Sequence, residues 1–510
     1  MDSNDKSRGN LGVLKRLHLE LLYQVIYTLP NADIKNLRLT CSYLGNISLP
    51  RFNRVFISPN PRDIEVFTLI ANHDIFRFKV TEIIYDDSRF DHSLRRWYSE
   101  TIIEEYYDPI TPLYWFRVAY LSIVDGIDAK EGEDEYTPHV KEAFKTRCTM
   151  RESYELHCKL RSQQDEVLAS RRDADALRYG LSRFPNLKRV TLSPAAHGIL
   201  GRPLYPTPTI RSLPEGFIYP LKRCWPKPRP YEEYSLTPWD ERSKQEWRGF
   251  CVVTKEIAQH IRENPLFGLS EFVAEGRQFW TGINCHIFDN SASEEYHDLV
   301  TILSHPPLRR LELSFACGTE SKHNWPSFRS GHLFKALSKA KNLHDVRFDT
   351  RIPLKHRKWH EFAENPQNGM PLWGMFPVDE WSNIRRFALS RSFVKQKDVM
   401  GFISALPSSL ESLELSFLSF LPREGTYRDL LQDMRCNLEW RERPVGNRPK
   451  LIVLVVENEL LIDGAAMDVS CAAMDFMYHD GENPFVEEQI MELLEGKGTP
   501  VDLLDPMHDQ

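Results

Sequence analysis

An α/β architecture is what this sequence predicts: a short helical pair, then a curved stack of strand–helix units whose strands run parallel. Three observations carry that expectation. Apolar residues near the N-terminus recur at helical spacing. A six-residue pattern of apolar, two of any kind, apolar, one of any kind, apolar returns along much of the 510-residue chain. Helical stretches separate its later copies, so strand and helix alternate. Hydrophobic residues make up 41% and charged residues 27%, values ordinary for a globular chain able to bury a large core.

Residues 1–12 form a polar leader that carries acids and does not read as a secretory signal. Beyond it Leu21, Leu22, Val25, Ile26 and Leu29 fall at i, i+1, i+4, i+5 and i+8, one face of a helix. Pro30-Asn31 ends that helix, and Asn31 or Asp33 caps a second one carrying Ile34, Leu37, Cys41 and Leu44 on one side. Two such helices have little core of their own, so their apolar surface must meet either the rest of the chain or a partner.

The run Leu17-His18-Leu19-Glu20-Leu21-Leu22, then Val25-Ile26, Leu29-Pro30, Asp33-Ile34, Leu37-Arg38 and Thr40-Cys41 resembles the F-box, over residues 13–52. His18 stands where that family usually has Pro. The resemblance implies a helical module that docks onto a Skp-type adaptor and through it a cullin. The adaptor contacts it carries over are Leu17, Leu21, Leu22, Ile26, Leu29, Leu37 and Cys41. It further implies a substrate receptor of an SCF-type ubiquitin ligase, with catalysis left to its partners. A scaffold acting outside the ligase, and a cryptic enzyme in residues 200–300, stand as alternatives.

Residues 53–462 hold the recurring pattern. Its copies are Leu187-x-x-Val190-x-Leu192, Leu308-x-x-Leu311-x-Leu313, Leu343-x-x-Val346-x-Phe348, Ile384-x-x-Phe387-x-Leu389, Leu410-x-x-Leu413-x-Leu415 and Leu451-x-x-Leu454-x-Val456. Val80-x-x-Ile83-x-Tyr85 is a weaker copy and Leu269-x-x-Phe272-x-Ala274 a marginal one. The alternation closing each copy is a strand signal. From 308 onward the copies start 35, 41, 26 and 41 residues apart. This irregular strand-plus-helix period resembles degenerate leucine-rich repeats, which implies a solenoid with the strands on its concave face. The asparagine that usually follows the repeat strand is absent. Leu311, Leu313, Leu413 and Leu415 are expected inside, with Glu312 and Glu414 on the open concave side. The intervening positions there read Arg189 and Thr191, Arg310 and Glu312, Asp345 and Arg347, Arg386 and Ala388, Ser412 and Glu414. A solvated face also looks charged. Stacked arginines can equally grip an acidic or phosphorylated segment, which makes Arg310, Arg347 and Arg386 the candidate target contacts.

Two insertions interrupt the array. Residues 88–180 include a charged stretch read as one or two long surface helices. There Asp173-Ala174-Asp175-Ala176-Leu177, leading to Leu181-Ser182-Arg183-Phe184-Pro185-Asn186-Leu187, is similar to a run in fungal F-box proteins. Residues 200–240 hold nine prolines with Tyr205, Phe217, Tyr219, Trp225, Tyr231, Tyr234 and Trp239. That density of proline predicts an extended loop, whose aromatics either pack onto the array or anchor a partner. Residues 463–510 carry twelve acids and one basic residue, Lys497, and read as a solvated acidic tail.

Catalytic patterns are missing. No Gly-x-Ser-x-Gly occurs, and Gly496-Lys497-Gly498-Thr499 lacks the earlier glycine of a phosphate loop. Glu104-Glu105 and Glu294-Glu295 read as surface. The nine cysteines form no Cys-x-x-Cys pair, which suits reduced thiols in the cytosol or nucleus. Asn284-Cys285-His286 places two possible ligands side by side, as does His157-Cys158. Neighbouring side chains point apart, so a metal there needs help from elsewhere in the chain. Short basic clusters, such as Arg171-Arg172 and Lys355-His356-Arg357-Lys358, and a net charge of −7 give no reason to expect nucleic acid. The longest aliphatic run, Leu451 to Val456, is far short of a membrane span. No cofactor is implied, and the expected partners are proteins.

Overall fold

The structure is a computed structural model. It describes residues 17–90, 112–128, 141–142, 144–198, 200–220, 225, 236–276, 281–350, 368–455, 465–485 and 498–502. The polar leader, Glu104-Glu105, Tyr231, Tyr234, the basic cluster at 355–358 and three stretches of the acidic segment, 463–464, 486–497 and 503–510, lie outside these residues.

Each six-residue copy becomes one parallel strand. The strands are β1 (Arg54–Ile57), β2 (Glu82–Asp86), β3 (Arg189–Ser193), β4 (Glu271–Ala274), β5 (Ile283–Asn284), β6 (Arg310–Ala316), β7 (Asp345–Asp349), β8 (Arg386–Ser390), β9 (Phe393–Val394), β10 (Ser412–Ser416), β11 (Ser419–Phe420) and β12 (Lys450–Ile452). They build a 10-stranded sheet in the order β1-β2-β3-β4-β6-β7-β8-β10-β12, with β5 beside β6; β9 and β11 pair separately. Every pairing within this sheet is parallel and follows chain order.

The apolar positions explain the register. Val55, Ile83, Val190, Phe272, Leu311, Val346, Phe387, Leu413 and Leu451 lie side by side across the sheet. All are buried in one continuous core. A slip of one residue would turn this entire row outward, so the row pins the alignment. Leu311, Leu313, Leu413 and Leu415 are buried as expected. The last copy is out of phase with its expectation. Leu451 pairs with Leu413 and fills the middle apolar position, while Leu454 already belongs to β13 (Leu454–Val455), which is bonded to the end of β10 at Ser416 and Phe417. The marginal copy at Leu269 is a full strand. A further copy, Phe52-x-x-Val55-x-Ile57, forms β1.

The helices form the second layer, also in chain order. Pro61–Asn72 packs on Arg172–Arg183, which packs on Arg248–Glu263, which packs on Glu294–Leu303. The row continues through His332–Leu337, Leu372–Met375, Gln396–Ala405, Tyr427–Asn437 and Ser470–Tyr478. Gly180 lets the first two helices approach closely: a Cβ there would lie 2.2 Å from the buried Phe67 ring. Arg172–Arg183 is therefore a helix of the layer and not a surface insertion. Its Asp173 is fully buried and receives two bonds from Arg248, at 2.6 and 2.9 Å, and one from the Tyr85 hydroxyl at 2.5 Å. One carboxylate thus ties two helices to β2. Burial and that carboxylate together raise the Tyr85 phenol well above its usual range.

The two insertions pack on each other. Helices Pro112–Asp128 and Met150–Ser170 enclose Phe90, Trp115, Phe116, Tyr120 and Phe144, together with Phe217, Ile218 and Tyr219 of the Pro-rich segment. Thr149 and Glu152 start the second helix with reciprocal capping bonds. Tyr205, Phe217, Tyr219 and Trp225 are buried, so the described aromatics of the loop serve packing. The acidic segment also departs from its expectation. Residues Ala465–Asp468 form β14, between β13 and β15 (Thr499–Asp502), and helix Ser470–Tyr478 buries Ala473, Phe476 and Met477. These apolar positions, with Phe485 stacked on Tyr427, seal the end of the core despite the surrounding acids. Among the described residues no helix is long and apolar enough to cross a membrane.

Candidate functional site

The N-terminal module comprises helices Leu19–Thr28, Asn31–Thr40 and Ser42–Ile47. It closes a small core of its own around Leu22, Ile26, Ile34 and Leu44, with Leu17, Leu29, Leu37, Cys41 and Ile47 packed against it. Arg51 bonds the carbonyls of Tyr27 and Leu29, and Asn31 exchanges two bonds with the Arg51 backbone, tying the chain that leaves the module to the turn inside it.

The expected adaptor contacts thereby divide. Leu22 and Ile26 are buried within the module, Leu17, Leu29, Leu37 and Cys41 are half-buried, and Leu21 is exposed. Leu22 and Ile26 hold the module together and are not available to a partner's surface. At 100° per residue, the buried stripe of the first helix leaves apolar residues on both flanks. Leu21 and Val25 lie on one flank; Leu19, Tyr23 and Tyr27 lie on the other, all exposed. Leu39, Tyr43 and Leu49 add to the outward apolar surface. Of these only Leu21 was among the expected contacts; the others were missed because one helix periodicity marks only one face. The signal for them was the apolar residues left over once Leu22, Ile26 and Leu29 were assigned inward.

The sheet face opposite the helices carries charge in an ordered form. In register, the residues that open the strands are Arg54, Glu82, Arg189, Glu271, Arg310, Asp345, Arg386, Ser412 and Lys450. The sign alternates from β1 to β8. Each step is an ion pair: Arg54–Glu82 at 2.7 Å, Glu82–Arg189 at 3.8 Å, Arg189–Glu271 at 2.5 Å, Glu271–Arg310 at 3.9 Å, Arg310–Asp345 at 3.8 Å and Asp345–Arg386 at 3.6 Å. Opposite charges directly across neighbouring strands stabilise a sheet, here by up to about 1 kcal/mol per pair. Burial pushes the Asp345 carboxyl above the usual range, against the pull of Arg310, Arg386 and Arg347.

Two residues further along the strands, Arg347 reaches over the small Ala388 to the carboxylate of Glu414. Glu414 is consequently only 6% exposed, and Glu312 is half-buried beside Arg310. Neither stands open as expected. Of the candidate target contacts, Arg310 and Arg347 are engaged by carboxylates of the chain itself, and Arg386 shares Asp345 while remaining exposed. Beyond Arg386 the alternation stops: Ser412 occupies the next step, and the exposed Lys450 follows. Arg386 and Lys450 thus bracket a step with no acid in register. The half-buried Arg309 and His344 and the exposed Arg385 lie just before β6, β7 and β8, with Glu411 paired to Arg385. Burial, helped by the two arginines, holds the His344 imidazole below its usual range.

No protein-family model matches the sequence, and no curated protein matches it.

Proposed function

We propose that the chain is an interaction protein that joins two partners: a substrate receptor whose N-terminal module docks an adaptor of the Skp type and whose sheet face holds a target. The observation that carries this reading is the module itself. A unit whose core is four buried aliphatic residues nevertheless turns Leu19, Leu21, Val25, Tyr27 and Leu39 outward. Apolar flanks on a short helix are the means of helix-in-groove docking. The F-box resemblance names the adaptor class, and the parallel strands and helices stacked in chain order support reading the rest as a leucine-rich solenoid. On this reading catalysis belongs to the partners, and the bound target is presented at raised local concentration. The target-holding surface centres on Arg386 and Lys450.

The test is adaptor capture by the full chain. Leu21→Asp with Val25→Asp places charge on the outward flank and leaves Leu22 and Ile26 in place. It is expected to abolish capture while circular dichroism stays unchanged. Arg386→Glu with Lys450→Glu is expected to weaken target binding and spare the adaptor. Undiminished adaptor capture by the Leu21/Val25 variant overturns the docking assignment.

A further inference from the structure

The register of β5 on β6 has a chemical consequence. Ile283 pairs with Phe315 and Asn284 with Ala316, so the next residues along both strands, Cys285 and Cys317, come side by side. Both are buried, and their side chains lie close enough to interact, while Cys317 Sγ donates to the Phe315 carbonyl at 3.9 Å. Asn284 caps the following 3-10 turn by accepting from the His286 backbone at 3.0 Å, which swings the His286 ring toward the same point. The turn after β6 brings Glu320, only 5% exposed, from the other side. Ligand atoms of Cys285, His286 and Glu320 all lie within 4.8 Å of one another.

We propose that Cys285, His286 and Glu320, joined by the neighbouring Cys317 thiol from just outside that group, form a binding site for a tetrahedral divalent transition-metal cation, Zn²⁺ being the member of that class its ligands suit. Two thiols, an imidazole and a carboxylate are a donor set for such a cation and a poor one for Ca²⁺ or Mg²⁺. Bond lengths of about 2.0–2.3 Å put tetrahedral ligands about 3.3–3.8 Å apart. The His286 Nδ1 to Glu320 Oε1 separation is 3.9 Å, already close to that edge. The surroundings hold the donors in place. His286 also hydrogen-bonds the Leu236 backbone, which leaves Nδ1 to face the cluster. Glu320 accepts from the Ser327 backbone at 2.9 Å through its other oxygen. Asp289 meets His286 Nδ1 at 2.9 Å and accepts from the Ser327 hydroxyl at 2.6 Å, so a carboxylate stands ready beside the ring.

On binding, the cation replaces the protons on the two thiols and on Nδ1, which pass to solvent; nothing is oxidised or reduced. Four protein donors leave no open position, so the role is to clip the turn after β5 to the turn after β6. The long-range partners that adjacent Cys285 and His286 lack in sequence come from the turn that follows β6.

The experiment uses the full chain under reductant, treated with chelator and then titrated with Co²⁺ followed by Zn²⁺. Expected are thiolate-to-cobalt charge-transfer absorption, visible bands of tetrahedral intensity, one equivalent bound, and displacement by Zn²⁺. Cys285→Ser is expected to abolish the charge-transfer band or reduce it to a single-thiolate value. Glu320→Gln, which keeps the bond from Ser327, is expected to weaken Co²⁺ binding about tenfold or more with the fold intact by circular dichroism. Cys251→Ser, outside the cluster, is expected to change nothing. Absence of a charge-transfer band in the parent, or the same band in Cys285→Ser, overturns the proposal. So does unchanged Co²⁺ affinity in Glu320→Gln, or loss of free thiols from Cys285 and Cys317 under these conditions, which marks them as a disulfide pair.

Discussion

Replacing Asp173 by Asn tests how the sheet and helix layers are joined near the N-terminal end. The carboxylate is fully buried and receives two bonds from Arg248 and one from Tyr85. The amide keeps its shape but removes the charge, leaving the Arg248 guanidinium largely out of water opposite a neutral group. Breaking a buried pair from one side costs about 3–5 kcal/mol. The Arg248 side chain retains 19% exposure, which favours the lower end of that range. Arg248→Met strands the carboxylate instead and is expected to cost at least as much. The double change Asp173→Asn with Arg248→Met removes both charges and leaves the neutral amide beside the Tyr85 hydroxyl, about 1–3 kcal/mol for buried polar groups without their full set of partners. The double variant is therefore expected to be more stable than the sum of the single losses by 2 kcal/mol or more, by estimate about the worth of the pair in place. Urea unfolding followed by circular dichroism on all four proteins measures the cycle. Single losses below about 1 kcal/mol, or strict additivity, would refute the account of this pair.

Two further outcomes follow from packing and burial. Gly180→Ala drives a methyl into Phe67 and is expected to destabilise by about 1–3 kcal/mol despite the better helix propensity of Ala; an unchanged melting temperature would count against the close helix contact. His305 and His344 are held below the ordinary histidine range, chiefly by burial, so the unfolded chain binds the extra protons first on acidification. Their contribution is complete above about pH 6.5 and is lost as pH falls through the depressed folded values. The difference in unfolding free energy between the parent and His305→Gln with His344→Gln is expected to shrink from pH 7 to pH 5, and a constant difference would disprove the coupling.

The strand pattern was legible because one apolar face repeats locally: Val190 and Leu192 announce themselves within six residues. The copy at Leu451 was misphased because Leu451, Val453 and Leu454 satisfy two frames, and only pairing with Leu413 selects one. Charge hid the packing of Ala473, Phe476 and Met477, whose apolar spacing is correct for a helix. The alternating ion pairs were out of reach for a physical reason. The sign of Glu82 or Glu271 has no meaning until register sets each beside its arginines, and register is a property of the sheet. The same holds for Cys285 and Cys317. In the N-terminal module the sequence marked the first helix, but the second, expected to run on through Leu44, ends at Thr40 with Cys41 extended, and Leu44 lies on a third helix. Nor did the sequence separate Leu22 and Ile26, which hold the unit together, from Leu21 and Val25, which face outward.

Because each strand pairs only with the strands next to it in an open order that runs from β1 to β12, the first and last strands of the sheet never meet. Stretched from its two ends, the sheet therefore has no interlock spanning the whole array. The load passes through the strand-to-strand contacts in series, and the weakest yields first. Extension is expected to proceed as a succession of small steps of a few dozen residues each, with the interleaved insertions releasing as one larger step. A tether that lengthens gradually limits the peak tension it transmits, a mechanical property that the order of the strands alone confers.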